Sequence, residues 1–375
     1  MEIIHLILGK ANPDRMNGVN KVVYQLATKQ HEHNLNVSVW GITKDLTNNY
    51  GDRNFKTRLF KKMLNPFSIS SQLLESILSK KGKAIFHIHG GWIPVFSSVS
   101  KFMNSNGISF VYTPHGAYNT IAMKRSFLVK KIYFKFFEKN MVKYASAIHC
   151  IGQSEVAGLK QIFQTDKTKL LPYGFQVTAQ EIQRNVGCEN MIVGFVGRLD
   201  IYTKGIDLLL DAFEDFQKQN PNSKLWIIGD GPEKIKLVKT VEDKGMGQQV
   251  VIFGSKFGNE KDSLIKQMHV FAHPSRNEGL PSSVLEASNF GVPCIVSEAT
   301  NVAAYIEKYN AGMSVRNENK ADIKNALTKM YHMWENNALD EMKVNAQKMV
   351  QDAFDWNNLM SQFNELYAVN SDAYN

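Results

Sequence analysis

The chain has 375 residues, of which 43% are hydrophobic and 21% are charged. These fractions are ordinary for soluble globular proteins and exclude a fibrous repeat or a disordered chain, and the length suits two domains with a cleft between them. The charge is uneven: residues 1–175 carry 24 Lys and Arg against 9 Asp and Glu, a net +15, which leaves −6 for the remainder. We therefore expect the first half to face an anionic partner.

The first half alternates short apolar, β-branched runs with segments of helical period. The predicted strands are Ile3–Leu8, Val37–Trp40, Ala84–Ile88, Ser109–Thr113 and Ala147–Ile151. The predicted helices are Asn20–His31, Ser70–Ser79 and Met123–Tyr144. This alternation predicts an α/β fold with a doubly wound parallel sheet, covered by helices on both faces.

The second half repeats the alternation and predicts a second, Rossmann-like sheet. Its predicted strands are Met191–Val196, Lys224–Ile228, Val250–Phe253, His269–Ala272 and Pro293–Ser297. A long helical region follows over about 320–349, and an amphipathic segment runs from Phe354 to Tyr367. We predict domains over 1–175 and 176–353, with the tail 354–375 crossing back onto the first. Ligands bind beyond the carboxyl ends of parallel strands, so both domains should present their functional loops to one central cleft.

Membrane spans and disulfides are not expected. No segment reaches the roughly 18 uninterrupted apolar residues that a transmembrane helix requires. The three cysteines, Cys150, Cys188 and Cys294, are odd in number and widely separated, which matches neither a disulfide framework nor a zinc site. We expect a cytoplasmic protein with reduced thiols, whose membrane contact is at most peripheral.

Two cations lie close to the end of the predicted strand Met191–Val196. Arg198 follows Gly197, and Lys204 precedes the helix that is predicted to begin at Ile206. Fixed cations and helix N-terminal amides both favour a diphosphate at this strand end. The alternative is two solvated cations on a surface loop.

Two glutamates flank a predicted helix start after the strand His269–Ala272. Pro281 is expected to be the first helical residue, so that the following amides form a second anion site. Glu278 then lies before the helix, and Glu286 lies about 7 Å beyond Pro281 along its axis. Carboxylates accept hydrogen bonds from sugar or ribose hydroxyls. On spacing alone, two solvated glutamates remain the simpler alternative.

Three motifs together carry a family resemblance. They are Gly197-Arg198-(five residues)-Lys204-Gly205, Gly229-Asp230-Gly231-Pro232-Glu233 and Glu278-(seven residues)-Glu286. The combination resembles the retaining GT-B glycosyltransferases of family 4, the group 1 glycosyltransferases, over nearly the whole chain. The resemblance implies an acceptor-side first domain and a second domain that binds a nucleotide diphosphate sugar.

The resemblance also implies the role of each motif residue. Arg198 and Lys204 would hold the donor diphosphate. Glu278 would orient the transferred sugar together with the backbone of Gly279 and Leu280, and Glu286 would bind the ribose hydroxyls. The remaining predicted donor-binding residues are Gly18, Gly197, Gly229, Gly231 and Pro281.

The first half carries weaker signals. Gly18 matches one of the paired glycines of the family, whereas Asn17 departs from the pattern. His115 follows the predicted strand Ser109–Thr113, and the resemblance would place it beside the reacting sugar; a structural hydrogen bond is the alternative. His87 and His89 alternate along one strand, and their role is left as structural or acceptor-side.

The expected reaction is transfer of a hexose or N-acetylhexosamine to a glycan or lipid-linked acceptor, with UDP favoured over GDP as the carrier. Retention of configuration follows from the resemblance alone, and the basic first domain favours a setting in bacterial surface polysaccharide or lipopolysaccharide synthesis. The transition state would place negative charge on the departing diphosphate, beside Arg198 and Lys204. The sequence has no Asp-x-Asp, and two cations can replace a metal, so we expect no metal and no other cofactor.

Two other function classes remain open. A nucleotide-sugar 2-epimerase shares the architecture but needs acid/base carboxylates in the first domain, where none is clearly placed. A non-catalytic nucleotide-sugar-binding protein would tolerate loss of Arg198, Lys204 and Glu278. A nucleic-acid partner is not expected, because no recognition module accompanies the positive charge.

The segment 124–139 is basic and aromatic at helical spacing. Such a helix can lie on anionic lipid, here the inner face of the plasma membrane. The alternative is a core-packed helix with solvated lysines.

Overall fold

The computed structural model of the protein describes residues 1–12, 18–124, 126–178, 181–182 and 189–368. The chain divides into two compact units: Met1–Gly174 together with the helix that begins at Trp356, and Phe175–Asp355. The predicted divisions were after residues 175 and 353. Expectations for Asn17, Arg125, Cys188 and the end of the tail lie outside the described residues.

The first unit contains a seven-stranded sheet with strand order β3-β2-β1-β4-β5-β6-β7, in which every neighbouring pair is parallel. Its strands are β1 (Glu2–Leu8), β2 (Val37–Thr43), β3 (Lys56–Lys61), β4 (Ala84–His89), β5 (Phe110–Thr113), β6 (Ala147–Cys150) and β7 (Thr168–Leu170). The edge strands β3 and β7 were not predicted, because they are short, largely polar and partly exposed.

The helices of the first unit are α1 (Gly18–Glu32), α2 (Ser71–Ser79), α3 (Pro94–Ser105), α4 (Thr120–Lys124), α5 (Phe127–Tyr133), α6 (Lys139–Tyr144) and α7 (Gln153–Ile162). The prediction of one helix over Met123–Tyr144 was wrong. Ser126 adopts a left-handed conformation before α5, and a π-helical segment, Phe134–Glu138, joins α5 to α6. Glu138, 1% exposed, accepts hydrogen bonds from two tyrosines and a backbone amide, and these buried contacts stabilise the departure from α-helical geometry.

The second unit contains a six-stranded parallel sheet of order β10-β9-β8-β11-β12-β13. Its strands are β8 (Met191–Val196), β9 (Ser223–Ile228), β10 (Val250–Gly254), β11 (Val270–His273), β12 (Cys294–Ser297) and β13 (Gly312–Val315). Its helices are α8 (Ile201–Lys204), α9 (Ile206–Gln217), α10 (Lys234–Asp243), α11 (Gly258–Lys266), α12 (Ser282–Asn289), α13 (Ala303–Tyr309), α14 (Lys320–Glu335) and α15 (Asp340–Phe354). The long helical region predicted over about 320–349 consists of two helices, α14 and α15. Two Rossmann-like parallel sheets confirm the predicted fold class.

Each unit has its own apolar core between sheet and helices. Leu6, Phe86 and Phe110 are buried in the first, and Phe195 and Phe213 in the second. Burial of each such side chain contributes about 1.5–3 kcal/mol, which is why the strands read as continuous apolar runs.

The last helix, α16 (Trp356–Ala368), packs within the first unit. Trp356, Phe363 and Tyr367 are buried, and the Trp356 ring lies so close to Gly174 that any side chain there would overlap it. In the part of the chain that is described, no helix is both long and apolar enough to cross a membrane.

Candidate active site

Glycines in the second unit allow two strand-end loops to approach each other closely. After β8, the Gly197 amide donates to the Ile228 carbonyl at 3.0 Å, and Leu199 donates to Asp230 at 3.0 Å. Gly229 has φ +150°, and a Cβ there would overlap the Gly197 carbonyl oxygen. These glycines therefore have a structural role, whether or not they also line a nucleotide pocket.

Lys204 lies at the end of the short helix α8 and not in an open loop. This helix was not predicted from the sequence. Asp200 caps α8 by accepting a hydrogen bond from the Thr203 amide at 3.1 Å. Gly205 ends α8 in the left-handed conformation, and the Pro274 carbonyl leaves no room for a side chain there. The position of Lys204 is thus set by a capped turn held against the loop after β11.

That loop is fastened to α8 and α9 by Ser275 and Arg276. Both donate to the Thr203 carbonyl, the first through its hydroxyl at 2.8 Å and the second through its amide at 2.9 Å. The Arg276 guanidinium forms a bidentate pair with Asp207, with both contacts at 2.8 Å, and donates to the Tyr202 carbonyl at 2.6 Å. Arginine suits this site because its rigid fork binds a carboxylate through two parallel hydrogen bonds.

At the end of the same loop, Glu278 forms an ion pair with Lys204. The buried ring of His273 lies beneath it, with Nε2 3.5 Å from the same carboxylate oxygen, and stacks on Phe195 and Phe271. Burial by itself raises the pKa of Glu278, but His273 and Lys204 outweigh it and lower this pKa to about 2. Burial lowers the pKa of His273, so the carboxylate is ionised above a neutral imidazole.

The backbone around Glu278 is held by the loop after β12. The Glu278 amide donates to Ala299 at 3.4 Å, and the Gly279 carbonyl accepts from the Asn301 amide at 3.0 Å. Glu278 and Thr300 form an isolated parallel bridge. The carboxylate therefore projects from a backbone that is fixed on both sides.

Helix α12 begins one residue later than predicted. Pro281 is its N-cap residue, and its carbonyl accepts from the Val284 and Leu285 amides, so the expectation of Pro281 as first helical residue was wrong by one position. Among the residues that the structure describes, no side chain caps this helix. Glu286 lies on α12 and forms a 2.6 Å ion pair with Lys261 of α11. Lys261 was missed, because α11 approaches α12 only through the tertiary fold.

Arg198 differs from the other charged residues of the predicted site. Its side chain is exposed, and within the described ranges its guanidinium has no ion pair or side-chain hydrogen bond. An exposed guanidinium beside a strand end is available for an anionic ligand. The structure thus joins Lys204 to Glu278 directly and leaves Arg198 and Glu286 separate from that pair.

The two first-unit candidates occupy different environments. Gly18 is the first residue of α1. His115 follows β5 with φ 56°, and the buried carboxylate of Glu155 holds the adjacent Gly116 amide at 2.5 Å. Burial raises the pKa of Glu155 to about 7 and lowers that of His115 to about 3, so His115 is neutral.

His87 and His89 are fully buried and hydrogen-bonded, which favours the structural alternative for both. With His5 they have nitrogen atoms within 4.8 Å of one another, close enough for a metal ion. Each of these nitrogens already has a hydrogen-bond partner, so metal ligation would require several of these bonds to break.

Two family models match consecutive parts of the chain. The model described as Glycosyltransferase Family 4 matches residues 16–177, and that described as Glycosyl transferases group 1 matches residues 179–349. The crystal structure of HepE from Anabaena in complex with UDP has the same fold, with a TM-score of 0.76 and 15% identity, and the match covers 98% of this chain and 100% of that one. The chain belongs to the group 1 GT-B glycosyltransferases.

Curated relatives are similar over part of their length. An uncharacterised glycosyltransferase of Methanocaldococcus jannaschii is 27% identical over 217 residues, 55% of this chain and 52% of that protein. A putative teichuronic acid biosynthesis glycosyltransferase of Bacillus subtilis is 25% identical over 270 residues, 69% of this chain and 64% of that protein. The chain thus spans about half to two thirds of the length of these two relatives.

Proposed function

We propose that the protein transfers a hexose or N-acetylhexosamine from a UDP-sugar to a glycan or lipid-linked acceptor, with retention of configuration and without a metal. The observation that carries this proposal is the fixed Lys204–Glu278 pair above His273, at the end of β11 in the second unit. Binding of UDP by the Anabaena structure supports the choice of carrier, and the Bacillus relative supports a role in surface polysaccharide synthesis.

The donor diphosphate is assigned to Arg198, Lys204 and the uncapped start of α12. Two cations and a helix N-terminus supply positive charge without a divalent ion. Lys204 is already held by Glu278 through its ion pair, so little side-chain freedom is lost when a phosphate joins them. Departure of the diphosphate raises the charge that these groups face, and they stabilise that charge in the transition state.

Glu278 and Glu286 are assigned to hydroxyl groups of the donor. The low pKa of Glu278 keeps it an acceptor at neutral pH, as recognition of sugar hydroxyls requires. Glu286 would exchange part of its contact with Lys261 for the ribose hydroxyls. Gly197, Gly229, Gly231, Gly279, Leu280 and Pro281 complete the proposed donor site of the second unit, and His115 and Gly18 are the residues proposed for the first unit.

The acceptor side is proposed to contact an anionic membrane through residues 124–139. Helix α5 buries none of its residues, whereas Phe134 and Glu138 of the π-helical segment after it are buried, so the core-packed alternative fits the second part of 124–139 but not α5. Leu128, Val129 and Ile132 are 73%, 68% and 62% exposed, beside Lys131. An exposed apolar strip flanked by lysines is typical of helices that lie on anionic lipid.

Sedimentation with vesicles of phosphatidylglycerol and phosphatidylcholine tests the membrane contact. Charge reversal at Lys124, Lys130 and Lys131 should abolish binding, whereas reversal at Lys236 and Lys239 of the second unit should not. Equal sedimentation of both variants and wild type would remove this part of the proposal.

Donor binding is tested by titrating UDP- and GDP-sugars in EDTA. Wild type should bind one donor saturably, and Glu286→Ala should weaken binding by about 1–3 kcal/mol through loss of ribose hydrogen bonds. Glu260→Ala removes another helix glutamate paired with a lysine and should bind as wild type does. A donor that binds both variants equally would contradict the role of Glu286.

A further inference from the structure

Five histidines of the first unit are connected by hydrogen bonds through its interior. They are His5 on β1, His87 and His89 on β4, His149 on β6, and His115 directly after β5. All except His115 are fully buried. Which atom donates and which accepts can be assigned bond by bond from one end of this hydrogen-bond chain, because that end is a backbone carbonyl, which can only accept.

The starting point is the carbonyl of Leu171, which can only accept. His149 Nε2 lies 2.7 Å from it, so this nitrogen carries the proton. Burial lowers the pKa of His149 to about 4, so the ring is neutral and its Nδ1 is an acceptor. The Thr113 hydroxyl, 2.8 Å away, must therefore donate to His149 Nδ1.

At each further hydrogen bond only one assignment of donor and acceptor is possible. The only proton of Thr113 is used, so its oxygen accepts from His87 Nε2 at 2.6 Å. A neutral His87 then accepts at Nδ1 from the Tyr367 hydroxyl at 2.9 Å. The oxygen of Tyr367 in turn accepts from the Gln30 amide nitrogen at 3.1 Å.

The side-chain amide of Gln30 sets which atoms donate in the remaining hydrogen bonds, which lie at the sheet. Its oxygen accepts from His5 Nε2 at 2.6 Å, so His5 Nδ1 accepts from His89 Nε2 at 2.8 Å. His89 Nδ1 then accepts from His115 Nε2 at 3.0 Å. Every donor in the sequence meets one acceptor, and no proton is missing or duplicated.

We infer that this hydrogen-bond chain, from Leu171 through His149, Thr113, His87, Tyr367, Gln30, His5 and His89, fixes His115 as the Nε2–H tautomer. His115 therefore offers its Nδ1 lone pair to a ligand and accepts a hydrogen bond from a hydroxyl. Thr113, Gln30 and Tyr367 are positioning residues that act through His115, although Gln30 and Tyr367 lie on α1 and α16.

Two local features agree with this assignment. The Tyr173 hydroxyl is 3.4 Å from both ring nitrogens of His115, longer than an ordinary O–H···N hydrogen bond, so its contact with Nδ1 is weak and a ligand hydroxyl can replace it. Burial lowers the pKa values of His5, His87 and His89, so all three rings are neutral, as a chain with one proton per ring requires. A metal ion bound by His5, His87 and His89 would break these hydrogen bonds, and the tautomer of His115 would no longer be set by them.

The test uses ¹⁵N-histidine NMR, which distinguishes protonated from unprotonated ring nitrogens, on the full-length protein. Resonances of His115 are identified by their loss in His115→Gln. Wild type should show one tautomer, with the proton on Nε2. Tyr367→Phe and Thr113→Val each interrupt the hydrogen-bond chain between the Leu171 carbonyl and His115. The carbonyl then no longer sets which atoms donate in the bonds nearest His115, so donors and acceptors there can exchange roles. Both variants should show a mixture of tautomers, whereas Tyr331→Phe, a buried tyrosine in the second unit, should not.

A wild-type His115 protonated on Nδ1, or a single Nε2–H tautomer that persists in both variants, would overturn the inference. The functional consequence rests on the proposed transferase activity: kcat/KM should fall in proportion to the Nε2–H fraction, about twofold at equal populations. Tautomers that change as expected in a protein without transferase activity would leave the hydrogen-bond chain standing and refute the proposed function alone.

Discussion

Arg198 and Lys204 are assigned the same catalytic task, yet the structure predicts that their removal affects stability very differently. Arg198→Ala removes an exposed guanidinium without a partner in the described part of the chain, so the free energy of unfolding should change by less than about 0.5 kcal/mol. Lys204→Ala leaves the Glu278 carboxylate, 22% exposed, above a neutral His273 with its counter-ion gone. Both variants should lose activity, but only the second should lose stability.

The size of the stability loss follows from the pKa of Glu278. Its value of about 2, against 4.5 for an ordinary glutamate, corresponds to roughly 3 kcal/mol at 1.36 kcal/mol per unit, and Lys204 supplies only part of it. We expect Lys204→Ala to cost about 1–2 kcal/mol. Because the folded-state pKa is depressed, this contribution is present above pH 4.5 and is lost as the pH falls towards 2.

Urea unfolding at pH 7 and kcat/KM for the preferred donor provide the two measurements. Loss of one preorganised cation should lower the rate by about 10²–10³ in either variant. Glu278→Gln in the Lys204→Ala background should restore stability but not activity, since it removes the uncompensated charge. Full activity of Arg198→Ala, or equal stability loss in both single variants, would refute this account of the site.

Three further predictions concern residues whose packing or hydrogen bonds hold the two units in shape. Arg276→Ala should lower stability by about 1.5–3 kcal/mol and weaken donor binding, because the loop carrying Glu278 loses its anchor; unchanged donor affinity in calorimetry would contradict this. Gly229→Ala should cost about 1–3 kcal/mol in thermal unfolding through overlap with the Gly197 carbonyl, whereas Gly247→Ala, in open space, should cost little. The folded-state pKa of Glu155 is raised to about 7, so the unfolded protein loses this proton at a lower pH than the folded protein does. The free energy of unfolding should therefore fall by about 2–3 kcal/mol as the pH rises from 4.5 to 7. An identical pH dependence in Glu155→Gln would disprove this.

Much of the fold could be predicted because buried parallel strands read as continuous apolar runs. The strands β1, β4 and β8 were predicted within about one residue of their observed ends. The strands β3, β7 and β13 were missed, since edge strands need no continuous apolar run. The break at Ser126 was also missed, because its left-handed backbone depends on surrounding packing and not on helical periodicity.

The candidate site shows the same division between local and tertiary information. Local motifs identified Lys204, Glu278 and Glu286, but not that Lys204 pairs with Glu278, or Glu286 with Lys261. His273 was overlooked because its last position on an apolar strand is typical of a core residue. The hydrogen-bond chain to His115 includes Tyr367, 337 residues from Gln30, a juxtaposition that no sequence spacing reveals.

The central claim, transfer from a nucleotide diphosphate sugar, is tested most directly by following a panel of UDP- and GDP-sugars by ¹H NMR with wild-type protein in EDTA. The account predicts that one donor, a UDP-sugar, releases its nucleoside diphosphate and that the sugar first appears with its configuration retained. A donor epimerised at C2, or a panel that remains intact until a divalent metal is added, would contradict it.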